Sequence, residues 1–195
     1  MKKFTSVLLT LLLISNISVF GQNFAKKGVW ELGGGIGFTS STIVTDGESA
    51  EESMTSFIFQ PYVGYFVIDC LELGLIPSFE TTSIGDLSSN SFGIYFAPAW
   101  NFDLKSNLYP FIEGRIGYNT TTIEYEFEGD TYEQTLSGLA YGGRAGLKYQ
   151  LGNAALVNLS LGYTMTTLNP EDWEGDRNGT NDFDVMVGFT IFLGK

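Results

Sequence analysis

Glu113 and Arg115 stand two residues apart in a stretch that is otherwise apolar or glycine, and Arg144 sits in a second stretch of the same kind. In an extended chain, residues i and i+2 project to one side, so the acid and the base of the first stretch share a face. Glu31, Glu72, Lys148 and Asp184 occupy comparable positions, each flanked by large apolar residues, and Glu80 follows Phe79. Together these eight form the candidate functional set. A charge withdrawn from water has to be paired, so the chemistry expected of them is mutual ion pairing, with Glu113 bonded to Arg115 or Arg144. Charges on an enclosed polar face can also gate a narrow pore or tune its selectivity, which is the alternative for the same residues.

Catalysis is not expected. A nucleophile needs an adjacent base, and the chain has no histidine. No serine on the charged face has a lysine at a telling spacing, and the carboxylates are dispersed rather than paired. No cofactor motif and no metal-ligand spacing are present. The acids outside the regular segments gather in three places: Asp46, Glu48, Glu51 and Glu52; Glu124, Glu126, Glu128, Asp130 and Glu133; and Glu171, Asp172, Glu174, Asp176 and Asp182. The stretch 172–179 resembles a calcium loop only faintly, because Arg177 stands where the turn glycine belongs and no glutamate closes it. These acids are read as a solvated, self-repelling surface, open to divalent cations or a surface ligand. Trp173, among them, is a possible adhesion contact.

The elements that position these residues follow from a period of two. From Phe183 to Leu193 every odd position is large and apolar, while even positions are mostly small or polar, Met186 and Phe192 excepted. Such alternation is the mark of a strand with one greasy face. It recurs in segments 29–39, 54–67, 71–82, 91–102, 109–123, 135–149 and 155–167, giving eight strands. The connections alternate in kind. Segments 68–70, 103–107 and 150–153 are short turns, whereas 40–53, 83–90, 124–134 and 168–181 are long polar loops. One face carries phenylalanine, isoleucine and leucine; the other combines glycines with charges. An eight-stranded barrel has an interior that side chains nearly fill. Glycines and ion pairs suit that interior, and the apolar face then belongs against lipid. A backbone in lipid must satisfy its polar groups internally, so the sheet must close.

The ends and composition agree. Lys2 and Lys3 precede an apolar run from Val7 to Ile14, and smaller residues lead to a cut before Gln22, so residues 1–21 are read as a cleaved signal peptide and 22–195 as the barrel domain. The run is shorter than the about 20 residues of a spanning helix. The net charge of −12 disfavours nucleic acid as a partner. One cysteine, Cys70 in a predicted turn, allows no internal disulfide. Pro61, Pro77 and Pro98 fall inside strands, where a missing amide predicts bulges or local irregularity. Trp30, Trp100, Tyr109, Tyr149 and Tyr163 lie near strand ends and are expected to form interface girdles.

With Phe20-Gly21-Gln22 ending the signal, alternating hairpins, and a closing segment Val187-Gly188-Phe189-Thr190-Ile191-Phe192-Leu193-Gly194-Lys195, the chain resembles the small eight-stranded outer-membrane barrels, the OmpA-transmembrane-domain and OmpX-like group, and most of all the stand-alone barrels of Bacteroidetes. The resemblance implies an all-β, eight-stranded antiparallel up-and-down transmembrane β-barrel with short periplasmic turns and long outer loops. It implies the outer membrane of a Gram-negative bacterium, with outer-membrane lipid and the barrel assembly machinery as partners. The terminal aromatic of such barrels is displaced inward here, to Phe192. The expected role is structural or surface-interacting at the cell surface. A narrow pore for ions or small solutes and a soluble lipocalin-like binder are the alternatives.

Overall fold

A computed structural model describes residues 24–84, 87–127, 130–168 and 178–194. Residues 1–23, which include the segment read as an export signal, and the acids Glu171, Asp172, Glu174 and Asp176, with Trp173, lie outside the described residues, as do residues 128–129. Eight strands follow in chain order: β1 (Trp30–Thr45), β2 (Glu48–Ile68), β3 (Leu71–Ile84), β4 (Leu87–Asn101), β5 (Leu108–Phe127), β6 (Asp130–Leu151), β7 (Ala155–Thr167) and β8 (Gly179–Leu193). Each pairs antiparallel with the next. β8 returns to β1, with Val187 opposite Ile36, and closes the barrel.

Alternation assigns the two faces. Ile36, Ile112, Val187 and Phe189 are each more than half exposed on the outside, whereas Glu31 and Glu72 are 1% and 0% exposed within. A soluble barrel would reverse these faces, so the lipocalin-like alternative loses its basis. Met186 and Phe192, the two large residues at even positions of β8, follow their parity and turn inward, at 2% and 0% exposure. Small residues opposite the inner charges make room for them. A Cβ added at Gly64 would collide with the Glu72 carboxylate, and one at Gly162 with that of Asp184.

Two expectations are corrected. The long polar segments 40–53, 83–90 and 124–134 are for the most part continuations of the strands rather than loops. β1 and β2 pair out to Thr45 and Glu48, joined by Asp46 and Gly47, both left-handed at φ of 51° and 79°. Asp-Gly with two positive φ values is the favoured two-residue hairpin turn. The threonine- and serine-rich arms keep the ladder without a greasy face, because backbone pairing does not require one. Tyr109 is not an interface aromatic. It shares parity with Phe111, Glu113 and Arg115, and is 4% exposed inside the barrel. Trp30, Trp100, Tyr149 and Tyr163 are exposed on the outer face.

The prolines bring the expected local irregularity, in the form of gaps in the ladder rather than bulges. β2 and β3 pair at Phe59–Phe79 and again, in unchanged register, at Val63–Leu75. Pro61 and Pro77 face each other between these pairs, and neither has an amide to donate. Pro98 leaves a similar gap between Phe96–Ile116 and Ala99–Glu113 on β4 and β5. The register shifts lie elsewhere, between Thr42 and Val44 and between Phe66 and Ile68.

Candidate functional site

The site is the lumen, built in levels from the short-turn end. Ahead of β1, left-handed Ala25 and Gly28, at φ of 64° and 89°, bend the chain and bring Phe24 into the mouth of the barrel. The bend is fastened by backbone bonds: Cys70 N–H donates to the Ala25 carbonyl at 2.9 Å and Gly28 N–H to that of Phe66 at 2.8 Å. Phe24 is fully buried and meets Phe66 and Tyr109 edge-on at centroid distances of 5.1 and 5.0 Å, with Phe192 at 5.4 Å. Leu156 and Val29 complete this apolar plug. Sequence reasoning missed it because no periodic segment contains Phe24. The missed signal was the inward parity of Tyr109, Phe66 and Phe192.

Behind the plug lies the first charged level. Lys148 on β6 places its Nζ 2.6 Å from Glu31 Oε2 on β1 and 3.1 Å from Glu72 Oε2 on β3. Thr190 donates to the other Glu31 oxygen at 2.7 Å, and Asn101 Nδ2 donates to Glu72 at 3.2 Å. The ammonium also sits 5.1 Å from the Phe24 ring centroid and 5.2 Å from that of Phe111. An apolar cluster of Ile76, Tyr95, Ala97 and Ala140, with Tyr62 against it, also fills the lumen.

Two further ion pairs follow, one within β5 and one joining β6 to β8. Arg115 Nη2 lies 2.5 Å from Glu113 Oε1, and Arg144 Nη2 lies 2.6 Å from Asp184 Oδ1. Arg144 also donates to Gln60 Oε1 at 3.0 Å, whose own Nε2 donates to Ser78 Oγ at 3.0 Å. Of the eight sequence-selected charges, seven are thus drawn into ion pairs. Glu80 is not. Asp182, expected among the loop acids, joins this interior set, as do Gln60, Asn101 and Thr190. Each has the inward parity of its strand. The remaining interior space includes a cavity of about 50 Å³ between Lys148, Arg144 and Tyr62 and another of about 20 Å³ toward the long hairpins.

At the short-turn rim, Asp69 accepts from the Lys27 backbone N–H at 2.9 Å and from Lys26 Nζ at 3.0 Å. The N–H first, and then the ammonium, hold the Asp69 carboxyl below its usual range, and Asp69 in turn raises Lys26. Lys105 lowers Asp103 in the same way. At the opposite end, Asp46, Glu48 and Glu133 are exposed on the hairpins.

No family model and no curated protein sequence matches the chain. Solved structures do. Neisserial surface protein A aligns with a TM-score of 0.65 at 14% identity, covering 85% of this chain and 99% of that one. Ail, the attachment invasion locus protein of Yersinia pestis, aligns with a TM-score of 0.55 at 18% identity, covering 86% and 99%. Ail in complex with the heparin analogue sucrose octasulfate gives 0.53 at 17%. At such identities the likeness is one of fold: a small, closed, antiparallel eight-stranded barrel.

Proposed function

We propose that this chain is an integral outer-membrane barrel that acts at the cell surface, in a structural or interaction role, with its lumen closed by an ion-pair network. The observation that carries this reading is the stacking of obstructions in the lumen: the Phe24 plug, the Lys148–Glu31–Glu72 triad, the Ile76 cluster and the two arginine pairs. With the interior filled, the surfaces left for function are the lipid-facing wall and the projecting hairpins. The plug and short turns face the periplasm in this reading, and the long hairpins face outward. Residues 1–21 act as the export signal, outer-membrane lipid and the barrel assembly machinery are the partners in place, and no catalytic step is assigned. Ail is seen in complex with the heparin analogue sucrose octasulfate. The outer hairpins here carry Asp46, Glu48 and Glu133, so partners of the opposite sign fit: divalent cations bridging to lipid headgroups, or a basic surface ligand.

Planar-bilayer conductance of the purified barrel tests the reading. A folded barrel, verified by heat-modifiable gel mobility, is expected to be electrically silent. Discrete openings that are resized by Arg115→Ala would overturn it and establish the narrow pore instead.

A further inference from the structure

The lumen near the long hairpins holds more acid than its cations neutralise. Glu113, Asp184, Glu80 and Asp182 stand there against Arg115 and Arg144. The two guanidiniums are committed to Glu113 and Asp184. Among the described residues no ion pair includes Glu80 or Asp182, and both line the cavity of about 20 Å³. Asp182 accepts from Thr180 Oγ1 at 3.0 Å. Hydroxyls satisfy lone pairs but leave the charge uncompensated.

Two more oxygens face the same space without a partner. Thr39 is 2% exposed, lines the cavity, and its Oγ1 has no hydrogen bond; Asn119 Oδ1, also buried, has none either. An unbonded buried acceptor is costly to keep, and the four groups arrive from four different strands, β1, β3, β5 and β8. Their shared deficiency is positive charge offered to oxygen, which is what a hard cation supplies. The volume also bears on the occupant. A void needs about 10–15 Å³ to take one water-sized particle, so this one admits a single ion with little of its hydration. Calcium tolerates an irregular oxygen shell, whereas magnesium demands near-octahedral geometry and retains its waters. No three acidic, histidine or cysteine side chains gather to hold an ion among the described residues. Two carboxylates must therefore be supplemented by neutral oxygens.

We infer that this cavity is a binding site for one calcium-like divalent cation, held by the carboxylates of Glu80 and Asp182 with Thr39 and Asn119 completing the protein's share of the shell. The ion joins β3 to β8 across the barrel and balances the acids that the arginines leave over.

Terbium luminescence is the direct test, because Tyr95 lines the same cavity and can sensitise a bound lanthanide. The full chain, purified from membranes in detergent, is titrated with terbium and then with calcium as competitor. A calcium-displaceable signal is expected, weakened about tenfold or more, some 1.4 kcal/mol, in Glu80→Gln and Asp182→Asn. Thr39→Val keeps every charge and is expected to weaken binding less, so it reports on the site even where a carboxylate variant fails to fold. A control, Asp46→Asn with Glu48→Gln, is expected to leave the signal intact. The inference is overturned if no displaceable signal appears, or if the control loses it while Glu80→Gln, Asp182→Asn and Thr39→Val retain it.

Discussion

Lys148 shows how much one buried cation decides. Its ammonium is the only partner that holds Glu31 and Glu72 together among the described ion pairs, and both acids are almost wholly enclosed. Removing one member of a buried ionic group leaves the rest uncompensated, at a cost of about 3–5 kcal/mol. Lys148→Met is therefore expected to destabilise the barrel by about that amount in urea unfolding from lipid vesicles, and an unchanged midpoint would show the triad to be energetically idle. The rim pair behaves differently, because it is exposed. Asp69 is held below its ordinary range by the Lys27 N–H and by Lys26. Its folded value lies below its unfolded one, so its contribution is present above the unfolded carboxylate range and is lost as pH falls through the depressed folded value. Fastening of the Phe24 bend should then loosen only in acid. Amide exchange of Lys27, followed between neutral pH and about pH 3 with correction for intrinsic rates, checks this, and an Asp69→Asn variant should lack the dependence.

At the scale of elements, the ladders are unequal. β5 and β6 pair without interruption from Leu108–Tyr149 to Phe127–Asp130, while β2 and β3 lose their pairing where Pro61 opposes Pro77. Without interruption of register, the gap marks a pair whose two amide bonds are both missing, each worth about 0.5–1.5 kcal/mol. The β2–β3 seam is thus the weakest line in the wall. In hydrogen exchange measured in lipid nanodiscs, Phe59, Val63, Leu75 and Phe79 are expected to exchange faster than Ile112 and Ala145 on the continuous ladder. Equal protection of the two sets would count against a weakened seam. The prolines were legible as irregularities in the sequence. That two of them face one another was not, because facing is a matter of register between strands. The Asp46-Gly47 turn was legible too and was overlooked, since the polar arms around it lack alternation.

For the molecule as a whole, what matters is which face meets lipid. Val187 lies in the middle of β8 on the exposed face, between Ile36 and Leu159. Arginine at the bilayer midplane costs about 2–4 kcal/mol, so Val187→Arg should lower stability by that order in vesicles, and unchanged folding would refute the assignment of faces. Periodicity alone determined much of this protein: eight strands, their order, the greasy exterior, and the seven charges that the lumen draws into ion pairs. These features are local, because alternation and the solvation cost of a charge act on each strand separately. Closure decided the remainder. Only when eight strands meet around a narrow lumen is it settled that Lys148 takes Glu31 and Glu72, that Glu80 and Asp182 are left over, that Pro61 meets Pro77, and that Phe24 has a mouth to fill. Those outcomes depend on distances across the barrel between residues far apart in the chain, and no single strand carries that information.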